Sequence, residues 1–107
     1  MDDKEMIHVI IDVETTSKYP DQNKIIQIVL KVMNKEDNFS RYVMTHQRID
    51  KEAEKVHNIS MLFLNQVGAN FFDVVGKEMI DWISNLQLKY SQKKNLTNFS
   101  QWKYIRL

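Results

Sequence analysis

Apolar and polar stretches alternate along the first half of the chain at spacings typical of strands. Residues 7–13 are rich in β-branched side chains and apolar on both faces, which predicts a central strand covered on both sides. A polar loop follows, and two more apolar stretches, 24–33 and 39–44, flank a short polar turn. Three consecutive strands with short links predict an antiparallel meander.

The pattern then changes to one typical of helices. Asp50 predicts the cap of a helix over residues 51–57, and Asn58, a residue type that tolerates the left-handed conformation, predicts its end. Ser60 predicts the cap of a second short helix, over residues 61–65.

A longer helix is predicted over residues 71–83, with Asn70 as its cap. Five apolar side chains repeat there at helical spacing and predict its buried face: Phe72, Val75, Met79, Trp82 and Ile83. Residues 86–91 alternate between apolar and polar side chains, so they predict a fourth strand. Strands followed by helices predict an α/β domain built on a mixed sheet.

The composition excludes several classes of protein. A chain of 107 residues supports one small domain, and 43% hydrophobic residues argue against wholesale disorder. No apolar run approaches the roughly 20 residues that a membrane-spanning helix needs. The N-terminus lacks the apolar stretch of a signal peptide, and we expect a cytoplasmic location. The absence of cysteine excludes a disulfide scaffold, a thiolate zinc site and a cysteine nucleophile, and two glycines exclude a glycine-rich phosphate loop.

The net charge of +1 hides an uneven distribution. All 14 acidic residues lie at or before Asp81, and residues 82–107 carry five basic side chains and no acid. This basic segment is interpreted in three ways that the sequence leaves open: a solvated tail, an arm that contacts phosphate, or a C-terminus foreign to the original domain.

Asp12 and Glu14 are the candidate catalytic residues. They lie two apart at the end of the first predicted strand, so their carboxylates project from the same face. Such a pair can bind hard divalent cations such as Mg²⁺ or Mn²⁺, and two ions about 4 Å apart can act on a phosphodiester. The alternative is two solvated acids at a strand end.

Three segments in order resemble the DEDD 3′→5′ exonucleases, most closely the DnaQ type, the proofreading epsilon subunit of bacterial DNA polymerase III. The string IIDVETTSKYPDQNKIIQIVLKV is similar to the first exonuclease motif, Asp-x-Glu-Thr-Thr-Gly, and the Ile-Ile-Glu-Ile strand after it. IDKEAEKVHNIS resembles the helix that leads into Val-His-Gly-Ile-Thr, and FFDVVGKEMIDWISN resembles the helix before the second motif. Together the matches cover residues 7–85.

The resemblance implies an RNase H-like fold with a mixed five-stranded sheet, and hydrolysis of nucleic acid from the 3′ end. Asp12 and Glu14 match the first two carboxylates that bind the Mg²⁺ or Mn²⁺ ions. Thr15 and Thr16 match the loop that meets the terminal nucleotide. His57 matches a histidine near that nucleotide, with a helix-end histidine favoured by the helix dipole as the alternative. The implied partners are the 3′ end of nucleic acid, above all single-stranded DNA, and a DNA polymerase subunit.

The sequence departs from the family at several positions. Ser17 and Asn58 stand where the family has glycine, and Gln27 replaces a glutamate. Residues 86–107 contain no Asp, Glu or His, so the second motif, His-Asn-x-x-Phe-Asp, and the third, with its general-base histidine, are missing. We therefore expect residues 1–85 to be the N-terminal part of an exonuclease domain that is C-terminally incomplete, and residues 86–107 to be a basic tail outside the family pattern.

Two missing metal ligands and a missing base predict a single chain that is inactive or severely impaired. A non-catalytic nucleic-acid-binding or polymerase-binding module on the same scaffold is the second hypothesis. A truncated or frameshifted gene relic is the third. If residues 86–91 do not pair with the first strand, its apolar edge is exposed, and we expect oligomerisation through that edge.

Overall fold

A computed structural model describes residues 6–19, 21, 23–91 and 102–106 of the chain. Along the chain the elements are β1 (Ile7–Thr15), β2 (Ile25–Val32), β3 (Asn38–Met44), α1 (Lys51–His57), α2 (Met61–Gln66), β4 (Asn70–Phe71), α3 (Phe72–Ser91) and β5 (Trp102–Arg106). The strands form one mixed sheet in the order β4-β3-β2-β1-β5. The antiparallel pairs β1–β2 and β2–β3 confirm the predicted meander, while β5 runs parallel to β1 and β4 parallel to β3.

Each face of the sheet packs against a different part of the helical half. Alternate apolar side chains of β1, β2 and β3 form one buried cluster with α3, including Val9, Leu30 and Val75. A second cluster lies where α2 and the segments around α1 cover the sheet, and its buried members are Ile26, Ile49, Ile59 and Leu64. No described helix is both long and apolar enough to cross a membrane.

Three of the four predicted caps lie at the ends of helices, and two of these three are confirmed by their geometry. The Ser60 hydroxyl accepts a hydrogen bond from the Phe63 N–H at 3.0 Å, and Asn58 ends α1 in the left-handed conformation with φ of 61°. Asp50 occupies the cap position of α1 but forms no side-chain cap bond. The predicted cap at Asn70 is wrong, because that residue pairs with Val43 in β4.

The strand predicted over residues 86–91 is wrong, because these residues form the last turns of α3. Leu86 and Tyr90 are four apart, so an alternating pattern also places them on one face of a helix, where both join the α3 cluster. Leu88 between them is exposed. The strand that covers the free edge of β1 is β5, so β1 does not present the open edge that oligomerisation was expected to use.

A β-bulge interrupts β2 beside the two candidate acids. Glu14 lies opposite Gln27 and Thr15 lies opposite Ile25, which leaves Ile26 as an extra residue. Ile26 is completely buried in the second cluster. The bulge therefore anchors this end of the sheet in the α2 side of the core at the point where β1 passes into its loop.

Side-chain charges tie the opposite end of the sheet to α3. Asp37, in the turn between β2 and β3, accepts hydrogen bonds from Lys89 Nζ at 2.8 Å and from the Tyr90 hydroxyl at 2.6 Å. These two donors, Lys89 more than Tyr90, hold the pKa of the Asp37 carboxyl below its ordinary value.

Candidate active site

The two candidate carboxylates lie on the sheet face that α1 and α2 partly cover. Ile11 and Val13 pack into the α3 cluster, so Asp12 and Glu14, which alternate with them, point to the other face. Asp12 is exposed and Glu14 is half-buried. Within the described part of the chain, no hydrogen bond or ion pair engages either carboxylate, so their oxygens are available to a cation.

The donor set fits a hard divalent cation that keeps other ligands. Mg²⁺ in enzymes is commonly bound through one or two carboxylates, with water and substrate phosphate completing its shell. Asp12 and Glu14 supply two such carboxylates. Among residues 6–19, 21, 23–91 and 102–106, no group of three or more His, Cys, Asp or Glu side chains is close enough to hold an ion by itself.

Thr16, predicted to meet a nucleotide, is completely buried and is the junction of three chain segments. Its N–H donates to the Lys24 carbonyl at 2.9 Å, and its hydroxyl accepts from the Lys24 N–H at 3.0 Å. Its carbonyl accepts from the Asp50 N–H at 2.8 Å. Thr16 therefore joins the end of β1 to the start of β2 and to the start of α1.

Hydrogen bonds within the loop after β1 fix the turn beside the acids. The half-buried Thr15 donates its hydroxyl to the Ser17 carbonyl at 2.8 Å, and Asn23 Nδ2 donates to the same carbonyl at 3.2 Å. The Ser17 hydroxyl accepts from the Tyr19 N–H at 3.0 Å. Positive φ angles in described non-glycine residues occur at Asn34 and Asn58, and not at Ser17. The turn accommodates serine where the family has glycine because it needs no left-handed residue there.

His57 reaches the same turn from the end of α1. Its Nδ1 accepts from the Ile59 N–H at 3.0 Å, which requires an unprotonated Nδ1 and leaves the proton of the neutral ring on Nε2. Nε2 lies 3.1 Å from the Thr15 carbonyl and donates to it. The ring therefore spans from α1 to the last residue of β1, directly after Glu14.

Several residues that build this site carried no signal of their own in the sequence. Asn23 and Lys24 lie in a polar loop, and their bonds to Ser17 and Thr16 depend on β2 folding back against β1. The sequence does not indicate the bulge at Ile26 either, because an isoleucine within an apolar strand is not a sign of a bulge. The Asp-x-Glu spacing was the usable signal.

Residues 9–107 match the sequence model of the RNase T exonuclease family, which is described as "Exonuclease". The chain belongs to this exonuclease family. The match extends through residues 86–107, the segment that the quoted motifs did not reach. No curated protein matches the chain.

Solved structures of nucleases share the fold. The chain is similar to cell-death related nuclease 4 (CRN-4), with 21% identity, a TM-score of 0.67, and coverage of 94% of this chain and 34% of that one. It is similar to the nuclease domain of 3′hExo, a DEDDh family member bound to rAMP, with 23% identity, a TM-score of 0.65, and coverage of 99% and 52%.

A full-length 3′-exonuclease is a third similar structure, with 23% identity, a TM-score of 0.62, and coverage of 78% of this chain and 30% of that one. The exonuclease-family chain therefore spans between about a third and a half of the length of these proteins. The likeness establishes an RNase H-like exonuclease fold, as the resemblance of the motifs implied.

Proposed function

We propose that this chain is a metal-dependent 3′→5′ exonuclease of the DnaQ type that acts on the 3′ end of single-stranded nucleic acid, with a rate lowered because residues 86–107 supply no Asp, Glu or His to complete its site. The observation that supports the proposal is the pair of unengaged carboxylates, Asp12 and Glu14, at the end of a central strand in an exonuclease-family fold.

Asp12 and Glu14 are the residues that hold Mg²⁺ or Mn²⁺ in this proposal. A bound divalent cation supplies stabilisation of the charge that develops on the phosphoryl oxygens and lowers the pKa of a water molecule. The acids themselves contribute position. They project from β1 where it pairs with β2, directly after the residues Ile7–Ile11 that pair with β5, and this limits their movement relative to the bound phosphate.

The neighbouring loop receives the terminal nucleotide. Thr15 is half-buried and accessible beside Glu14, so we assign it the contact with the nucleotide. Thr16 and His57 act as positioning residues, because their hydrogen bonds hold the backbone of this loop. The sequence resemblance implied substrate binding by Thr15, Thr16 and His57, and the proposal keeps that role for Thr15 alone.

The test is release of mononucleotides from single-stranded oligonucleotides labelled at either end, with Mg²⁺ or Mn²⁺. A 3′→5′ enzyme frees a 3′ label at once and converts a 5′-labelled strand into a ladder. Asp12→Ala and Glu14→Ala should each lower the rate at least about 100-fold, since they remove the charge that holds the cation. Parallel DNA and RNA substrates identify the preferred sugar.

Glu36→Ala is the matched control, because Glu36 is an exposed acid in the turn at the other end of the sheet. It should leave the rate unchanged. Turnover that survives in Asp12→Ala contradicts the assignment. A folded wild-type protein that releases no mononucleotide with either metal contradicts the enzymatic proposal itself.

A non-catalytic nucleic-acid-binding module, or one that binds a polymerase subunit, is the second candidate. It is favoured by the two-carboxylate donor set of the described residues and by the five basic side chains among residues 82–107. Nucleic-acid binding that weakens steeply with salt supports this candidate. The slope of log affinity against log salt should fall by about 0.7 for each of Lys93 and Lys94 that is replaced by glutamine. Substitution is preferable to deleting residues 86–107, because Leu86 belongs to the core.

A further inference from the structure

A cavity of about 800 Å³ lies at the same end of the sheet as the two acids, where β2 begins and β3 and β4 end. Its lining comes from the segment before β2, the end of β3 with the loop after it, and the junction of β4 with α3. The residues that matter here are Lys24, His46, Phe71 and Phe72. Of these four, Lys24 also contacts the loop of the candidate active site, and the other three lie outside that site.

Aromatic rings form an exposed surface on this cavity. The His46 and Phe71 rings pack with centroids 4.6 Å apart and planes inclined at 33°. Phe71 is 40% exposed and Phe72 is 45% exposed, although helical spacing predicted Phe72 to be part of the buried face of α3. Adjacent exposed phenylalanines beside a stacked histidine are typical of a binding surface, because their burial by a ligand is favourable.

The charge of the cavity favours an anion with flat, apolar groups. Lys24 is exposed at its wall, and no carboxylate is among its described lining residues. Four smaller cavities elsewhere each include at least one carboxylate: Glu78, Glu54, Asp37, and the pair Asp50 and Glu52. Single-stranded nucleic acid combines stacking bases with phosphate charge, and proteins bind it through aromatic side chains flanked by cations.

Hydrogen bonds also connect the wall of the cavity with the loop of the candidate active site. Lys24 forms two hydrogen bonds with Thr16, one in each direction, and Thr16 is two residues beyond Glu14. The loop that carries the site therefore has the acids at one end and the cavity wall at the other. The inference requires that a strand held at the acids crosses this loop to reach the rings.

We propose that the His46–Phe71–Phe72 surface stacks a base of single-stranded nucleic acid upstream of the 3′ terminus, with Lys24 contacting a phosphate. The inference rests on the proposed function for the identity of the strand. It adds a second contact region that holds the substrate away from the reacting bond. Longer strands then bind more tightly than mononucleotides, because only a longer strand reaches both regions.

The test is fluorescence anisotropy with a 5′-labelled oligothymidylate of about 12 nucleotides, measured in EDTA so that no hydrolysis occurs. Phe71→Ala should weaken binding about tenfold, because base–aromatic stacking is lost, and Phe71→Trp should restore it. Leu88→Ala is the matched control, since Leu88 is an exposed apolar residue of α3 outside the cavity.

Lys24→Gln gives a second readout that does not remove a ring. It should lower the slope of log affinity against log salt by about 0.7, the value for one phosphate contact on a single strand. If Phe71→Ala and Lys24→Gln, both folded by circular dichroism, bind as wild type does, the cavity is not a nucleic-acid site. A protein ligand for this surface is then the remaining interpretation, and our inference is wrong.

The failures of the two proposals are distinguishable. If the wild-type protein hydrolyses nothing and Phe71→Ala binds the oligonucleotide more weakly than wild type, the cavity proposal is supported and the enzymatic proposal is contradicted. If hydrolysis requires Asp12 and oligonucleotide binding is unchanged in Phe71→Ala, the enzymatic proposal is supported and the cavity proposal is contradicted.

Discussion

The two ends of the sheet are held by different kinds of interaction. At the end that carries the acids, the backbone of the loop after β1 is fixed by hydrogen bonds that the Thr16 and Ser17 hydroxyls accept and that His57 donates. At the opposite end, a charged carboxylate in a turn, Asp37, binds Lys89 and Tyr90 of α3 across the surface. Backbone-directed bonds fix a position, whereas an exposed ion pair mainly limits fraying.

The contrast explains why Asp12 and Glu14 are left unengaged. Hydrogen bonds of neutral groups, those of Thr16 and His57, hold the end of the sheet that carries the acids. No described side chain therefore has to neutralise the acids to fix this end. Adjacent like charges cost stability, and proteins accept such costs where function requires them. Four substitutions test this division, ordered by their expected effect on the free energy of unfolding.

Thr16→Val should have the largest effect, a loss of about 2 kcal/mol, because the completely buried residue 16 then offers no acceptor to the Lys24 N–H. Urea denaturation measures it. Thr15→Val is the matched control and should cost less, since the Ser17 carbonyl keeps its bond from Asn23. Equal losses of unfolding free energy in the two variants would show that the buried Thr16 junction contributes no more stability than the Thr15 bond within the loop.

His57→Ala should cost about 1.5 kcal/mol, because the Ile59 N–H and the Thr15 carbonyl both lose a partner. His57→Asn should recover part of the loss, since an asparagine oxygen can accept from the N–H two residues on. Urea denaturation and KM for an oligonucleotide are measured together. A raised KM in a His57→Ala protein as stable as wild type would show a direct nucleotide contact instead of positioning.

Tyr90→Phe should cost about 1 kcal/mol near neutral pH, because the hydrogen bond to Asp37 is lost at the end remote from the site. Nuclease activity should not change. The folded pKa of Asp37 is lowered, so its stabilisation is present above the unfolded carboxyl pKa and is lost as pH falls through the folded value. The stability difference between wild type and variant should therefore shrink below about pH 4. A difference that is constant from pH 7 to pH 3 contradicts the ionised bond.

Asp12→Asn should have the smallest effect on stability, within about 0.5 kcal/mol, because the carboxylate has no described internal partner. The sign should be neutral or stabilising, since the change removes one of two adjacent like charges. Thermal unfolding of this variant beside Glu36→Gln measures it. A loss above about 1 kcal/mol would reveal a structural role for Asp12 and break the separation of stability from function.

Local patterns predicted much of the framework correctly. The meander followed from three apolar stretches with short polar links, and the ends of α1 and α2 followed from Asn58 and Ser60. The shared face of Asp12 and Glu14 followed from the two-residue period of a strand. These features depend on neighbours within a few residues, which the sequence displays directly.

The errors arose where local patterns are ambiguous or where distant segments decide. Leu86, Leu88 and Tyr90 alternate like a strand, but Leu86 and Tyr90 also share one face of a helix, and packing on the sheet selected the helix. Helical spacing placed Phe72 in the core, although α3 starts at that residue, beyond the edge of the sheet.

The strand–helix order, the acid pair and the exonuclease motifs are visible in the sequence, because periodicity and side-chain chemistry are properties of neighbouring residues. The pairing of β5 with β1, the bulge at Ile26 and the contact of His57 with the Thr15 carbonyl become visible only in the folded chain. Each of these contacts joins segments that are distant in the chain or depends on strand register. Their energies arise only when the whole sheet is assembled.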